Sequence, residues 1–359
     1  MTSMWAATML GAMIAFAAAT AAPAQPASVA GLQPGSPIAG APAVPAFIRD
    51  RVQTLGASFN GRVGIAVRSV DQGWQVGWHA DELYPQQSVS KLWVAITAMD
   101  AVDRGEVRLI DPVTLTRSDL TLFHQPIAAA ILNKGAETTT LGRLLNDAIT
   151  MSDNTCNDRL MRAVGGPSAV RAMIATKGLG AIRFYEGERA LQSKIAGLTW
   201  SPNFSTGGGF ERARNALPLS LRRSLFQRYI DEPYDGAAPA AIVHALARLK
   251  RGQLLSPSST AFLLGTMGHT KTGANRLKGG LEPGWTLSHK TGTGQVLGAV
   301  QAGYNDIGVV TAPDGRSYAI AVMIKQTTTP LIVRMNLMNN VVRAVIRQHE
   351  LDGGNNITL

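Results

Sequence analysis

Apolar positions from Phe47 to Leu55 recur at helical spacing. The period then falls to two over Arg62–Val70 and Trp74–Trp78, on either side of Asp71-Gln72-Gly73, which predicts a helix followed by a β-hairpin. After Ser88 the helical period returns over Lys91–Arg104, Thr138–Ile149, Asn157–Val164 and Pro167–Thr176, so the middle of the chain reads as an α-rich block. Alternation resumes at Trp285–His289, Gly298–Tyr304 and Tyr318–Ile324, with Ala312-Pro313-Asp314-Gly315 as a turn, and a helix over Leu331–His349 ends the pattern. Strands at both ends and helices between them imply an α/β fold. Its antiparallel sheet is flanked by the terminal helices and carries an inserted all-α domain, with the site in the cleft between the two. The boundaries expected are 46–80 and 268–352 for the sheet domain and 81–267 for the helical one.

Composition narrows the class. The chain has 359 residues, 45% of them hydrophobic and 16% charged, enough to bury a substantial core. Met4–Ala19 is an apolar run too short to cross a bilayer, and Ala22-Pro23-Ala24 follows it, so residues 1–24 read as a signal peptide, although no basic residue precedes the run and the first is Arg49. Residues 25–45, rich in Ala and Pro and without charge, read as a linker. Cys156 is the single cysteine, which excludes an intrachain disulfide, and no cysteine follows the apolar run to accept a lipid. A periplasmic or secreted monomer with no membrane span is expected. The net charge of +10 comes from scattered Lys and Arg rather than one aromatic-interleaved stripe, which argues against a nucleic-acid partner. The six histidines show no ligand spacing, so neither a metal nor another cofactor is expected.

Three short motifs carry candidate chemistry: Ser88-Val89-Ser90-Lys91, Ser152-Asp153-Asn154 and Lys290-Thr291-Gly292. Ser88 stands where a loop becomes a helix, and residues three apart share a helix face, so the Lys91 amine belongs beside the Ser88 hydroxyl. Taken singly, the three also read as a helix cap with a surface lysine, a capping turn, and a solvated lysine at a strand end. Together they supply a nucleophile with an adjacent amine, a proton relay with an amide, and a cation for an anion. Gly292, Gly294 and Gly298 nearly match a dinucleotide fingerprint, but their spacing is wrong and a strand rather than a helix follows. Gly292 instead reads as room for a ligand backbone on an edge strand.

In this order, over roughly Phe47–His349, the motifs resemble the serine β-lactamases of class A and their penicillin-binding relatives. The resemblance implies Ser88 as nucleophile, Lys91 or Glu188 as acylation base, Ser152 as proton donor to the departing nitrogen, and Lys290 as an anion-holding cation. Asn154, Thr291 and Thr293 are then substrate-binding, with a small-molecule β-lactam as the partner. The backbone amides of Ser88 and of a residue just past Gly292, near Gly294 or Gln295, would hold the carbonyl oxygen. Glu188 lies where the family's deacylating glutamate is found, and Gln192 stands where an asparagine is usual. Arg276 matches an arginine that assists the substrate carboxylate in some members, and His124 a gate at the cleft mouth. Roughly fifty residues separate Glu188 from Asp235, an enlarged Ω-type loop. Glu186 occupies the place of an arginine that pairs with the closing aspartate, so Arg183 or Arg189 is expected to pair with Asp235 instead. A β-lactam hydrolase is the leading reading. A D,D-peptidase, transpeptidase or esterase with the same machinery, or a sensor that is acylated and not released, are its rivals.

Overall fold

The computed structural model describes residues 42–353. The expected signal peptide and most of the expected linker lie outside them. The main sheet is antiparallel and runs in the order Gln75–Trp78, Arg62–Ser69, Ser317–Thr327, Val300–Thr311, Thr286–Thr293, with a short strand Val296–Leu297 added to Val300–Thr311. Alternation sorts its side chains onto two faces. Ile65, Val67, Ile320, Val322 and Ile324 pack against Ile48 and Val52 of the first helix (Ala46–Ala57) and Met338 and Val342 of the last (Leu331–Leu351). Ala66, Ala319, Ala321, Met323 and Ile307 belong to a second core with Leu92, Trp93, Leu144 and Leu246 of the helical block. Small residues dominate this inner face, which lets helices Lys91–Asp103 and Pro239–Lys250 approach it closely.

The strands expected at Trp285–His289 and Gly298–Tyr304 run on to Thr293 and Thr311, and two segments differ in kind from expectation. The segment Ala136–Thr140 is a strand paired with Pro112–Thr116, and the helix starts only at Leu141. Three consecutive threonines favour the pleated backbone, and the last, Thr140, caps the helix by accepting the Arg143 N–H at 3.2 Å. The enlarged segment after Glu188 is helical: Glu188–Ile195, Gly209–Ala216 and Leu219–Asp231. Their apolar faces form two small clusters, Leu191, Ile195, Phe226, Tyr229 and Ile230 in one and Leu122, Ala196 and Phe210 in the other.

Trp93 is fully buried beneath the nucleophile turn, and its indole donates to Gln86 Oε1 at 2.5 Å. Gln86 Nε2 donates to the backbone oxygens of Arg183 at 2.9 Å and Asp235 at 2.5 Å. Core packing of one helix thus fixes both the turn before Ser88 and the far end of the enlarged segment.

Candidate active site

Ser88 sits in a short 3₁₀ turn, Gln87–Ser90, that leads directly into helix Lys91–Asp103. Gln87 is held at φ +55°, a left-handed conformation costly for a side chain of this kind, so the surrounding contacts over-determine the turn. One of them is the lysine strand Thr286–Thr293. A Cβ on Gly292 would strike the Gln86 carbonyl, and one on Gly294 the Ala302 carbonyl. The space at Gly292, expected for a ligand, is filled by the backbone of the nucleophile turn; the glycine is needed so that strand and turn can touch.

Lys91 is 1% exposed, and its ammonium meets three acceptors: Ser88 Oγ at 2.7 Å, Asn154 Oδ1 at 2.8 Å and Glu188 Oε1, with which it forms a buried ion pair. A buried cation is stable only with its donors filled and its charge balanced, and these three groups do both. Asn154 Nδ2 donates to Leu122 O at 2.9 Å and keeps a second hydrogen for a ligand carbonyl. Ser152, at φ +61°, is turned so that its hydroxyl accepts from Lys290 Nζ at 2.9 Å. Asp153 braces that turn from inside, accepting the N–H groups of Cys156 at 2.9 Å and Ile127 at 2.8 Å.

Lys290 is fully buried and also donates to Thr291 O at 3.0 Å. Burial, and next the charge of Lys91, push its pKa well below the ordinary lysine value. An anion bound beside it would relieve both effects. Arg276 lines the same cleft, but Nη1 donates to Gly292 O at 3.1 Å and Asn305 O at 2.7 Å, and Nη2 donates to Thr293 Oγ1 at 2.6 Å. Its guanidinium is thus committed to the strand and to Thr293.

Glu188 opens helix Glu188–Ile195 and is 4% exposed. Gln192, one turn on, donates to Glu188 Oε2 at 3.2 Å and to Gln87 Oε1 at 2.9 Å, and accepts from Gln295 Nε2 at 3.0 Å. The extra methylene relative to asparagine is accommodated by this chain of glutamines. Asp158, one helical turn beyond Asn154, fixes the start of the helix by accepting the Glu188 N–H at 2.9 Å. No motif marked Asp158 or Gln87, and Gln295 was singled out for its backbone amide rather than its side chain, although the four-residue offset from Asn154 places Asp158 on the same helix face.

A cleft of roughly 550 Å³ joins Ser88, Ser152, Asn154, Glu188, Gln192, Arg276, Thr291, Thr293 and His124, every candidate named from sequence except Lys91 and Lys290, which lie beneath its floor. His124 donates from Nε2 to Met151 O at 2.9 Å. Beside it the exposed Phe123, at φ +60°, is held edge-on against Phe210 with ring centroids 5.0 Å apart.

Two expectations are corrected. The Gly294 amide donates to Gly303 O at 2.8 Å and is therefore spent. Alternation along the antiparallel ladder instead turns the N–H of Thr293, the residue just past Gly292, away from Val300–Thr311 and toward the cleft, so that it and not the Gly294 N–H is available to a ligand. Neither Arg183 nor Arg189 pairs with Asp235. Arg183 pairs with Glu232, and Arg189 donates to the backbone oxygens of Ser118 at 2.5 Å and Leu120 at 2.8 Å. Asp235 accepts the Gln87 N–H at 2.7 Å and the Tyr229 hydroxyl at 2.9 Å, so neutral donors close the segment where a guanidinium was expected.

With no cation beside it, burial pushes the Asp235 pKa up to about 6 against the pull of those two bonds. A carboxyl whose folded pKa is raised stabilises the fold at low pH and loses that contribution as pH rises from its unfolded pKa through about 6. Asp235→Asn lacks this titration. Its stability relative to the wild type should therefore rise by up to about 3 kcal/mol between about pH 4 and about pH 7, measured by urea unfolding; a difference that stays flat with pH contradicts the assignment.

The sequence profile described as the beta-lactamase enzyme family matches residues 47–348. The extended-spectrum β-lactamase PER-1 of Pseudomonas aeruginosa is 28% identical over 285 residues, 78% of this chain and 80% of its own. A crystal structure of a β-lactamase from Chitinophaga pinensis superposes with a TM-score of 0.69 at 26% identity, covering 86% of this chain and 99% of its own. An ancestral class A β-lactamase gives 0.66 at 26% identity, with 84% and 99% covered.

Proposed function

Because the chain belongs to the beta-lactamase enzyme family, we propose that it is a class A serine β-lactamase in which Ser88 is acylated by the lactam and released by water with Glu188 as base. The observation that carries this reading is the single ammonium of Lys91 in contact with Ser88, Asn154 and Glu188 at once. Ser88 Oγ attacks the lactam carbonyl carbon. As the Lys91 nitrogen takes the Ser88 proton it passes one of its own to the Glu188 carboxylate it contacts, so the amine stays charged and Glu188 holds the proton for the moment. The N–H groups of Ser88 and Thr293 receive the negative charge that develops on the carbonyl oxygen. As the carbon–nitrogen bond breaks, Ser152 gives the ring nitrogen a proton and takes in its place the one that left Ser88, so Glu188 returns to a carboxylate while Lys290, hydrogen-bonded to the same hydroxyl, keeps its charge. Lys290, Thr291 and Thr293 hold the ring carboxylate, and Asn154 holds the side-chain amide.

Release of the ester needs a water aligned with the acyl carbon. Glu188 takes its proton, and Gln192, bonded to Glu188 Oε2, fixes where that water sits. This pairing favours a complete hydrolytic cycle over the acylated sensor and over a peptidase that passes the acyl group to an amine. Purified protein mixed with a chromogenic cephalosporin should form product well past one equivalent, and Ser88→Ala should abolish it. A burst that stops at one equivalent supports the sensor.

We also propose that the chain is exported, on the strength of the apolar run at 4–19 and the small-residue site after it. Among the described residues no helix is long and apolar enough to cross a membrane. Expression in a Gram-negative host followed by osmotic shock should release the activity in the periplasmic fraction with a new N-terminus close to Ala24; retention of an intact Met1 in the cytosol contradicts it.

A further inference from the structure

The enlarged segment places a cation in the cleft that the scheme above does not use. Arg214 lies on helix Gly209–Ala216 and lines the cleft together with Gln192, Gln295 and Val296. Its Nη1 reaches Gln295 Oε1 only at 3.4 Å, and its Nε is buried without a hydrogen-bond partner. The guanidinium stands 5.6 Å from the centre of the Phe210 ring, a face that orients it without filling its donors. Burial and next the charge of Arg222 push the Arg214 pKa down, and the exposed Glu211, one turn earlier on the same helix, opposes them only weakly.

The other cations of the cleft are occupied. Lys91 has three acceptors, Lys290 has Ser152 and Thr291, and Arg276 has two backbone oxygens and Thr293. A β-lactam with its ring carboxylate at Thr291 and Thr293 and its amide at Asn154 leaves one end of the cleft for the substituent beyond that amide. That end is bounded by Gln192, Gln295, Val296 and Arg214. Gln295 links the two sides, bonded to Gln192 at 3.0 Å and to Arg214.

We propose that Arg214 determines specificity by binding a second anionic group, a carboxylate or sulfonate, on the side chain of the β-lactam. The inference rests on the β-lactamase reading and deepens it. A guanidinium presents a planar fork that takes a carboxylate through two parallel hydrogen bonds, and a partly desolvated fork with empty donors gains most from one. The contact is remote from the reacting carbonyl, so it is made alike in the ground state and the transition state and appears chiefly in KM.

The matched pair of substrates is benzylpenicillin and its α-carboxyl derivative, which differ by the one anionic group. The quantity read is the ratio of kcat/KM for the carboxylated over the plain penicillin. Arg214→Gln should lower that ratio about tenfold or more, mainly through KM, and Arg214→Lys, which keeps the charge but not the fork, should lower it by less than Arg214→Gln does. A ratio within about twofold of the wild-type value in Arg214→Gln, or an equal loss on both substrates, overturns the proposal and leaves the β-lactamase reading standing. A wild-type protein that opens neither penicillin sinks that reading and this one with it.

Discussion

One buried charge sets the geometry of the whole site. The Lys91 ammonium has almost no water to solvate it, so the fold must bring it an anion and two neutral acceptors. Each comes from a different part of the chain: Ser88 from the turn below its own helix, Asn154 from the start of the next block, Glu188 from the helix that begins the enlarged segment. Removing one partner of such a buried pair costs about 3–5 kcal/mol, because the remaining charge is left uncompensated. The requirement that makes this lysine stable is the same one that gathers a carboxylate, an amide and a hydroxyl around one point of the cleft, the groups to which the proposed mechanism gives its chemistry.

The enlarged segment is held to the site without a buried arginine. Its closing aspartate is bonded by a backbone N–H of the nucleophile turn and by Tyr229, a residue of the segment's own third helix. Gln87 joins the two, since its side chain contacts Tyr229 and Gln192 while its backbone contacts Asp235. Neutral donors in place of a guanidinium leave Asp235 a weak acid, so this end of the cleft is tied to pH in a way that a salt bridge would suppress. The same segment contributes Phe210 behind Phe123 at the cleft mouth and Arg214 along its wall.

The sequence was legible where a motif carries its own geometry. Ser88 and Lys91 are three residues apart on a helix, and that spacing alone brings their side chains together. The sheet and the helices Lys91–Asp103, Asn154–Ala163 and Leu331–Leu351 were legible in hydrophobic period, whereas the threonine-rich strand before Leu141 overrides a helical reading and the helices between Glu188 and Gly268 were not marked by it. What stayed hidden depends on contacts between distant segments. Nothing near Asp235 announces that Tyr229 and Gln87 will satisfy it, and the expectation of an arginine came from the resemblance alone. Which amide just past Gly292 is free depends on which edge of the ladder a peptide faces, and a one-residue change in register reverses that.

The central claim is that Ser88 is esterified by a β-lactam and freed by a water that Glu188 activates. Incubating Glu188→Gln with benzylpenicillin and following intact mass, then the mass of the peptide that contains Ser88, tests it most directly. The account predicts an adduct on Ser88 that persists in the variant while the wild type returns to its free mass, with deacylation slowed by roughly 10²–10⁴-fold. A variant that turns over at the wild-type rate, or an adduct on any other residue, would contradict it.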